Sequence, residues 1–559
     1  MLRVGVNLES LLVPAWIASI LEQIGESDSL ELCLIIDGNG KNAEIWEQRP
    51  PLFALWESLD RRIFRNRPRR KDASERMQFV PKPNTPILAR SSELFTASEL
   101  EAAEKAQLDV LLDFTDTQAV GSAIRSLARF GWWSVGGIPA SAIFEGMGKL
   151  KPTQEAAFDL HRTYATIRVR CSLFASFPMS LYQNRNHVCW RTSEAVMRCL
   201  EGLERFGWNY LTQFRTEAVT SSGALPGNTQ MASFLFRLAR RGAWEVIRRT
   251  FLREDWFIAY GSSTNFSQRN SATVDFQVVR APRKNFYADP FVVEKDERTF
   301  VFFEDYIRAD RKAGISCIEL RKDGSSSDPE RVLEADFHLS YPCVFEWRGE
   351  MYMIPESIAH HTIDLYKSLE FPRKWQHVQT LIENVSCVDS TIFEHKGKFW
   401  LFTCGTAKPD PIYQKTDDEL LLYFANTPLG PWTPHPLNPI VCDVRGCRPA
   451  GRLFWENGEL IRPSQDCSEN YGRAVTLNHV EILTPTDYRE VPVATIGPEW
   501  FPGNLGTHTY DRSATYQVLD GRTWTGSRLS LRPRSGFVQH VVNKAELILS
   551  RRVRQQSAA

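Results

Sequence analysis

No two cysteines in this sequence form a CxxC pair, and the eleven present are odd in number and scattered. That spacing excludes a regular disulfide framework and a zinc site, and leaves reduced thiols in a cytoplasmic protein as the expectation. Net charge is missing too: 67 lysines and arginines balance 67 aspartates and glutamates over 559 residues. Nucleic-acid binders carry a basic footprint, so no nucleic acid partner is expected. No window approaches the roughly 18 apolar residues a membrane span requires. The opening MLRVGVNLESLLVPAWIASILEQI breaks its apolar run at Glu9 and has no small-residue cleavage site, which reads as strand then helix, not as a signal peptide. There is no Gly-rich phosphate loop, metal constellation or Ser/His/Asp arrangement, so neither cofactor nor metal is expected. The DG pairs Asp37-Gly38, Asp323-Gly324 and Asp520-Gly521 read as turns.

What is present is aromatic and long. Sixteen tryptophans and 33 phenylalanines suggest large cores and an aromatic-lined pocket of the kind that suits sugars. The length exceeds one ordinary core, so two domains are expected. In the first half, the short apolar runs LRVGVNL, LELCLIID, LDVLLDF and GWWSVGGI recur between helical patterns at 14–24 and 117–130. Runs buried on both faces and spaced by helices predict a Rossmann-type parallel sheet over residues 1–215, closing with strands and an amphipathic helix from about Arg191.

A helical linker is expected over 216–264. Within 231–256, Phe234, Leu235, Leu238, Trp244, Ile247, Phe251 and Trp256 follow helical spacing while Arg237, Arg240, Arg241, Arg248, Arg249 and Arg253 fill much of the rest. On a neutral protein this reads first as a helix docking the two domains together, and second as a peripheral membrane contact.

The second half repeats. Four sixteen-residue units align without gaps: DPFVVEKDERTFVFFE, YPCVFEWRGEMYMIPE, DSTIFEHKGKFWLFTC and AGRLFWENGELIRPSQ. Their starts, Asp289, Tyr341, Asp389 and Ala450, are separated by 52, 48 and 61 residues, the size of one four-stranded propeller blade. A weaker fifth copy, GTHTYDRSATYQVLDGRTW, predicts a five-bladed propeller over 265–548, with a frayed tail at 549–559. A hairpin returns its last residue to the rim where its first began, and the innermost strands of a propeller converge on the axis. One funnel mouth is therefore expected to gather Asp289, Glu304, Tyr341, Glu356, Asp389, Cys404, Ala450 and Gln465, joined by Asp305, Ser357, Arg448, Arg462, Asp466 and His508. Facing carboxylates are expensive unless they serve binding or acid/base chemistry.

Two resemblances add to this reading. LDVLLDF, a helix and RFGWWSVGGI resemble the core of the formyltransferase-like domain. That resemblance implies the fold but not the chemistry: Asp113, Phe114 and Thr115 stand where the family has an Asn, and Ser134, Val135, Gly136 and Gly137 where it has a His. The second half resembles the propellers of glycoside hydrolase family 43, and more closely the propeller at the N-terminus of plant glucosamine inositolphosphorylceramide transferases. The pairing of the two domains resembles a bacterial two-domain family. The resemblance implies that Asp289 activates water and that Asp389, in VDSTIF, orients substrate and tunes a pKa; the general acid is missing, because CRPAGRLF opens the fourth blade with no Glu. His508 stands at the central fifth-blade His.

Glu356 or Glu304 are candidates for that acid, and the arginines suit an anionic group on the ligand. Three functions follow: a protein of glycan or glycoconjugate biosynthesis that binds and transfers a sugar, a furanosidase-like hydrolase using Asp289 with Glu356 or Glu304, and a non-catalytic glycan-binding or scaffold protein.

Overall fold

The computed structural model describes residues 1–38, 50–65, 72–89, 96–115, 128–136, 140–149, 151–162, 165–216, 225–263, 275–406 and 418–526. The expected helix at 117–130 falls almost wholly outside these residues, as do the end of the expected propeller range and the tail at 549–559.

The four apolar runs of the first half become neighbours in one sheet. Ile87–Ala89, Leu30–Asp37, Leu2–Leu8, Val110–Asp113 and Trp132–Ser134 lie parallel in that order, and Thr153–Arg162, Ala165–Ala175 and Arg215–Thr216 extend the sheet antiparallel. Helix Ala15–Glu26 covers one face through Trp16, Ile17, Ile20, Leu21 and Ile24, which repeat at helical spacing. At the end of strand Val110–Asp113, the Asp113 carboxylate accepts from Asn7 at 2.9 Å and from Thr115 Oγ1 at 2.7 Å, so it is spent on its own sheet edge.

The helix expected from Arg191 begins ten positions earlier and runs Leu181–Phe206, with Ser180 accepting from the Gln183 amide at its start. The polar stretch that hid its first turns is buried. Asn184 bonds the Phe177 and Ser180 carbonyls, and Asn186 accepts from the Ala73 amide. This helix also seams the domains: Arg191 pairs with Asp418 and with Glu419 at 3.2 Å, and Arg198 pairs with Glu419 at 2.6 Å. Backbone bonds of 2.9 Å between Leu173 and both Cys442 and Val444 run alongside.

Four four-stranded sheets and one five-stranded sheet form the five blades of the propeller. Blades one to four begin with the hairpins Asn285–Lys295/Arg298–Ile307, Ser340–Trp347/Glu350–Glu356, Ser386–His395/Lys398–Thr406, and Phe454–Glu456/Glu459–Asp466 with Arg448–Pro449 ahead. The fifth closes the ring with strands from both ends of the propeller sequence: Tyr510–Arg512, Tyr516–Gly526, Leu252–Ser262 and Gln277–Val279. The propeller therefore starts at Leu252 and not at 265, and the linker helix is Asn228–Phe251. Trp256 continues the helical spacing by coincidence and sits in a strand. Asp520-Gly521 is likewise no turn: both lie mid-strand, where a Cβ on Gly521 would meet the Phe257 ring at 2.4 Å. Asp323-Gly324 does turn, with Gly324 at φ +84°.

Candidate functional site at the propeller axis

The first hairpins of blades one to three share a local irregularity. Each ladder slips by one residue, between Ala288 and Phe291, between Ser340 and Cys343, and between Val388 and Thr391. Two residues there oppose one, which is a β-bulge. The first bulged residue is left-handed each time: Asp289 at φ 52°, Tyr341 at 46° and Asp389 at 55°. Non-glycine residues adopt this conformation at a cost, and bulges re-aim side chains. This corrects the simple hairpin expectation, because the residues opposite Glu304 and Glu356 are Ala288 and Ser340, each one position before the unit begins.

The re-aimed residues meet partners from other blades. Asp289, buried, accepts from Thr509 Oγ1 at 2.8 Å and from the Tyr341 amide at 3.3 Å. His508 Nε2 lies 3.5 Å from its Oδ1, and His508 Nδ1 pairs closely with Asp520 Oδ2. Asp520 also accepts from the amides of His508 at 2.8 Å and Thr509 at 3.1 Å, and from that of Asp289 at 3.2 Å. Asp389 takes Arg448 Nε at 2.5 Å and Gln465 Nε2 at 2.7 Å. Ser340 Oγ donates to Glu356 at 3.1 Å, and His338 Nε2 stands 3.6 Å from Glu304.

These groups titrate against one another. Burial pushes Asp289 up to about 6 despite the opposing field of His508. Burial and then the Asp389 charge push Glu356 up to about 8. Burial, followed by the fields of Asp289, Glu356 and Asp389, holds Glu304 well above the usual carboxylate range. Burial alone would lower His508, but Asp520 and Asp289 outweigh it and favour the imidazolium. Near neutral pH the cluster thus presents protonated glutamic acids beside an ionised aspartate.

Aromatic rings line one side. Trp256 stacks on His508 with ring centres 4.2 Å apart, and Tyr471, 43% exposed, meets His508 edge-on at 5.2 Å. The Arg448 guanidinium lies over the Tyr471 ring at 4.9 Å.

Of the residues singled out from the sequence, Asp289, Glu304, Glu356, Asp389, Arg448, Gln465 and His508 come together here. Tyr341 lies beneath them as a bolt, its hydroxyl bonding Thr391 at 2.8 Å and accepting from the Gly451 amide at 2.6 Å. The others are engaged elsewhere. Asp305 bonds Asn285, Ser316 and Arg331, Ser357 bonds the Thr362 carbonyl, and Asp466 pairs with Arg473 at 2.6 Å. Arg462 is buried against Glu490. The reason is the pleat: Asp305, Ser357 and Asp466 each follow an axis-facing residue by one position, and Arg462 precedes Gln465 by three, so all four point to the opposite face. Sequence reasoning missed Asp520, Trp256 and Tyr471.

Asp289, His508 and Asp520 offer ligand atoms within 4.8 Å of one another, a set able to hold a cation; here the same atoms are spent on each other. A separate cavity of about 760 Å³ opens on the α/β domain. Its lining sets Arg61, Arg62, Arg65 and Arg185 against two carboxylates, Asp72 pairing with Arg61 at 3.1 Å and Arg65 at 3.6 Å, and Glu57 with Arg185 at 2.9 Å.

Residues 271–500 match the family described as glucosamine inositolphosphorylceramide transferase 1, N-terminal. Glucosamine inositolphosphorylceramide transferase 1 of Arabidopsis thaliana is 35% identical over 212 residues, 37% of this chain and 27% of that protein. Its namesake in Oryza sativa subsp. japonica is 36% identical over 212 residues, 37% of this chain and 28% of that protein. The chain thus spans little more than a quarter of the length of these curated relatives. Among solved structures, a family 117 glycoside hydrolase of Zobellia galactanivorans aligns at TM-score 0.31 and 12% identity, over 49% of this chain and 91% of that one. A family 43 protein of Bacillus licheniformis aligns at 0.30 and 16%, over 44% and 57%. Likenesses this slight carry no argument about chemistry. The family match lies in the propeller and the curated relatives are plant proteins, so neither the formyltransferase-like reading of the α/β domain nor a bacterial placement draws support from them.

Proposed function

We propose that the propeller binds a sugar at this acidic cluster and transfers it to an acceptor in glycan or glycoconjugate assembly. The observation that carries the reading is the gathering of buried carboxyls at the axis, both raised by burial but to different extents, Glu356 to about 8 and Asp289, held lower by the His508 imidazolium, to about 6. Glycosyl chemistry needs such a pair: an acid to protonate the leaving oxygen and a carboxylate to activate the attacking group. Glu356 is the assigned acid with Glu304 beside it, Asp289 the base, and Asp389 the orienting group fixed by Arg448 and Gln465. Of the two arginines expected to meet an anionic group on the ligand, Arg462 is spent on Glu490, and Arg448, held to Asp389 through its Nε, is the one that stands at the site. The similarity to proteins named glucosamine inositolphosphorylceramide transferases favours transfer onto a glycoconjugate.

Hydrolysis is the second reading, because the same acid and carboxylate serve water as readily as a sugar hydroxyl. Incubation with nucleotide sugars plus glycolipid acceptors, then with nitrophenyl furanosides and pyranosides, separates the two. Consumption of the former supports transfer and release from the latter hydrolysis; affinity without turnover reduces the site to binding. Full activity of Asp289→Asn would remove both catalytic assignments.

A further inference from the structure

Helix Asn228–Phe251 is amphipathic twice over. Met231 and Phe234, with Leu235 and Leu238, pack into the core shared by Phe53, Trp56 and Met147 of the α/β domain. Nothing among the described residues covers the opposite side. There Phe236, Ala243, Trp244, Ile247 and Phe251 recur at helical spacing and form a second apolar stripe, with Phe236 71% and Trp244 59% exposed. The helix docks on the α/β domain through its first half, while in its second half Arg248 lies over the Trp524 ring of the propeller at 4.5 Å; the expectation that its apolar residues all join the domains fails for this stripe.

Its charge is lopsided on a chain with no net charge: five arginines against the single Glu245. Glu245 pairs with Arg248 and Arg249. Arg237, Arg240 and Arg241 have no carboxylate partner among the described residues, and together with Trp244 they rim an apolar cleft of about 440 Å³ floored by Phe234 and Leu238.

We propose that this stripe docks on an anionic lipid surface, its aromatic and aliphatic side chains entering the interface and the three arginines meeting headgroup phosphates. Apolar side chains on one face, with Arg240 among them and Arg237 and Arg241 at its edge, are what an interfacial helix presents to such a surface. A second copy of this chain is a poor occupant, because a two-fold contact would set these arginines against themselves. No helix among the described residues is long and apolar enough to cross a membrane, so the contact is peripheral. The inference stands on the helix alone and does not depend on the sugar chemistry assigned to the propeller.

The test is flotation of the full chain with phosphatidylcholine vesicles and with phosphatidylcholine–phosphatidylserine vesicles, at low and high salt and without any sugar. The protein is expected to float with the anionic vesicles only, and less at high salt. Arg237→Gln/Arg240→Gln/Arg241→Gln and Phe236→Ser/Trp244→Ser/Ile247→Ser change exposed positions, so both keep the melting temperature while binding falls at least about tenfold. Failure of the parent protein to float, equal binding by the variants, or a stripe-dependent dimer in sedimentation without vesicle binding would each overturn the proposal. The nitrophenyl glycoside assays and sugar binding at the propeller, measured with soluble sugars, are untouched by any of these results.

Discussion

His508 Nε2 stands 3.5 Å from Asp289 Oδ1 while its Nδ1 is paired with Asp520. The imidazolium so held is the main charge that keeps the Asp289 proton labile. In His508→Gln that charge is gone, and the Asp289 pKa moves above its present value of about 6. The acid limb of the rate–pH profile is therefore expected to shift to higher pH, with a smaller loss at the alkaline end of the range. A uniform drop with an unmoved limb would mean that His508 only supports the fold.

Glu356 makes a prediction about stability. Its pKa is raised from 4.5 to about 8, so the folded state holds this proton more tightly than the unfolded one. The resulting stabilisation is complete below about 4.5, declines as pH rises toward 8, and is absent above. Glu356→Gln is expected to melt near the parent temperature in mild acid and clearly above it at pH 8, while activity falls by about two to four orders of magnitude. Thermal melts across that range decide the point.

How much of this was visible beforehand depended on whether a signal was local or spatial. The propeller was legible because its blades repeat one unit without gaps. Asp289 and Asp389 were legible because they open those units. The bulge that aims them was not, since alternation of apolar residues says nothing about a one-residue slip. Asp520 was hidden by the following glycine, which serves the close approach of Phe257 and not a turn. Trp256 was hidden because, five residues past the end of the helix, it still falls on the helical spacing. Arg462, Asp305, Ser357 and Asp466 were misplaced by ignoring the two-residue period of a strand.

Tyr471 lies at the edge of the cluster, partly exposed and beneath Arg448. An aromatic ring in that place supplies an apolar face for a sugar. Tyr471→Ala is expected to raise KM several-fold with kcat little changed. A loss confined to kcat would place the ring in the chemistry.

The seam between the domains is buried and charged. Arg191→Met removes one partner of Asp418 and one of Glu419, at an expected cost of about 3–5 kcal/mol. Urea denaturation followed separately in each domain is expected to show the loss on both sides. A loss in one domain alone would mean that the seam transmits no stability.

The central claim, that ligand chemistry belongs to the propeller axis, is tested most directly by a crystal structure of Asp289→Asn soaked with a sugar donor and acceptor. Sugar is expected within hydrogen-bond reach of Glu356 and the substituted position 289, with Tyr471 along one face. Sugar in the α/β cavity beside Arg61 and Arg185, with the axis left to water, would contradict it.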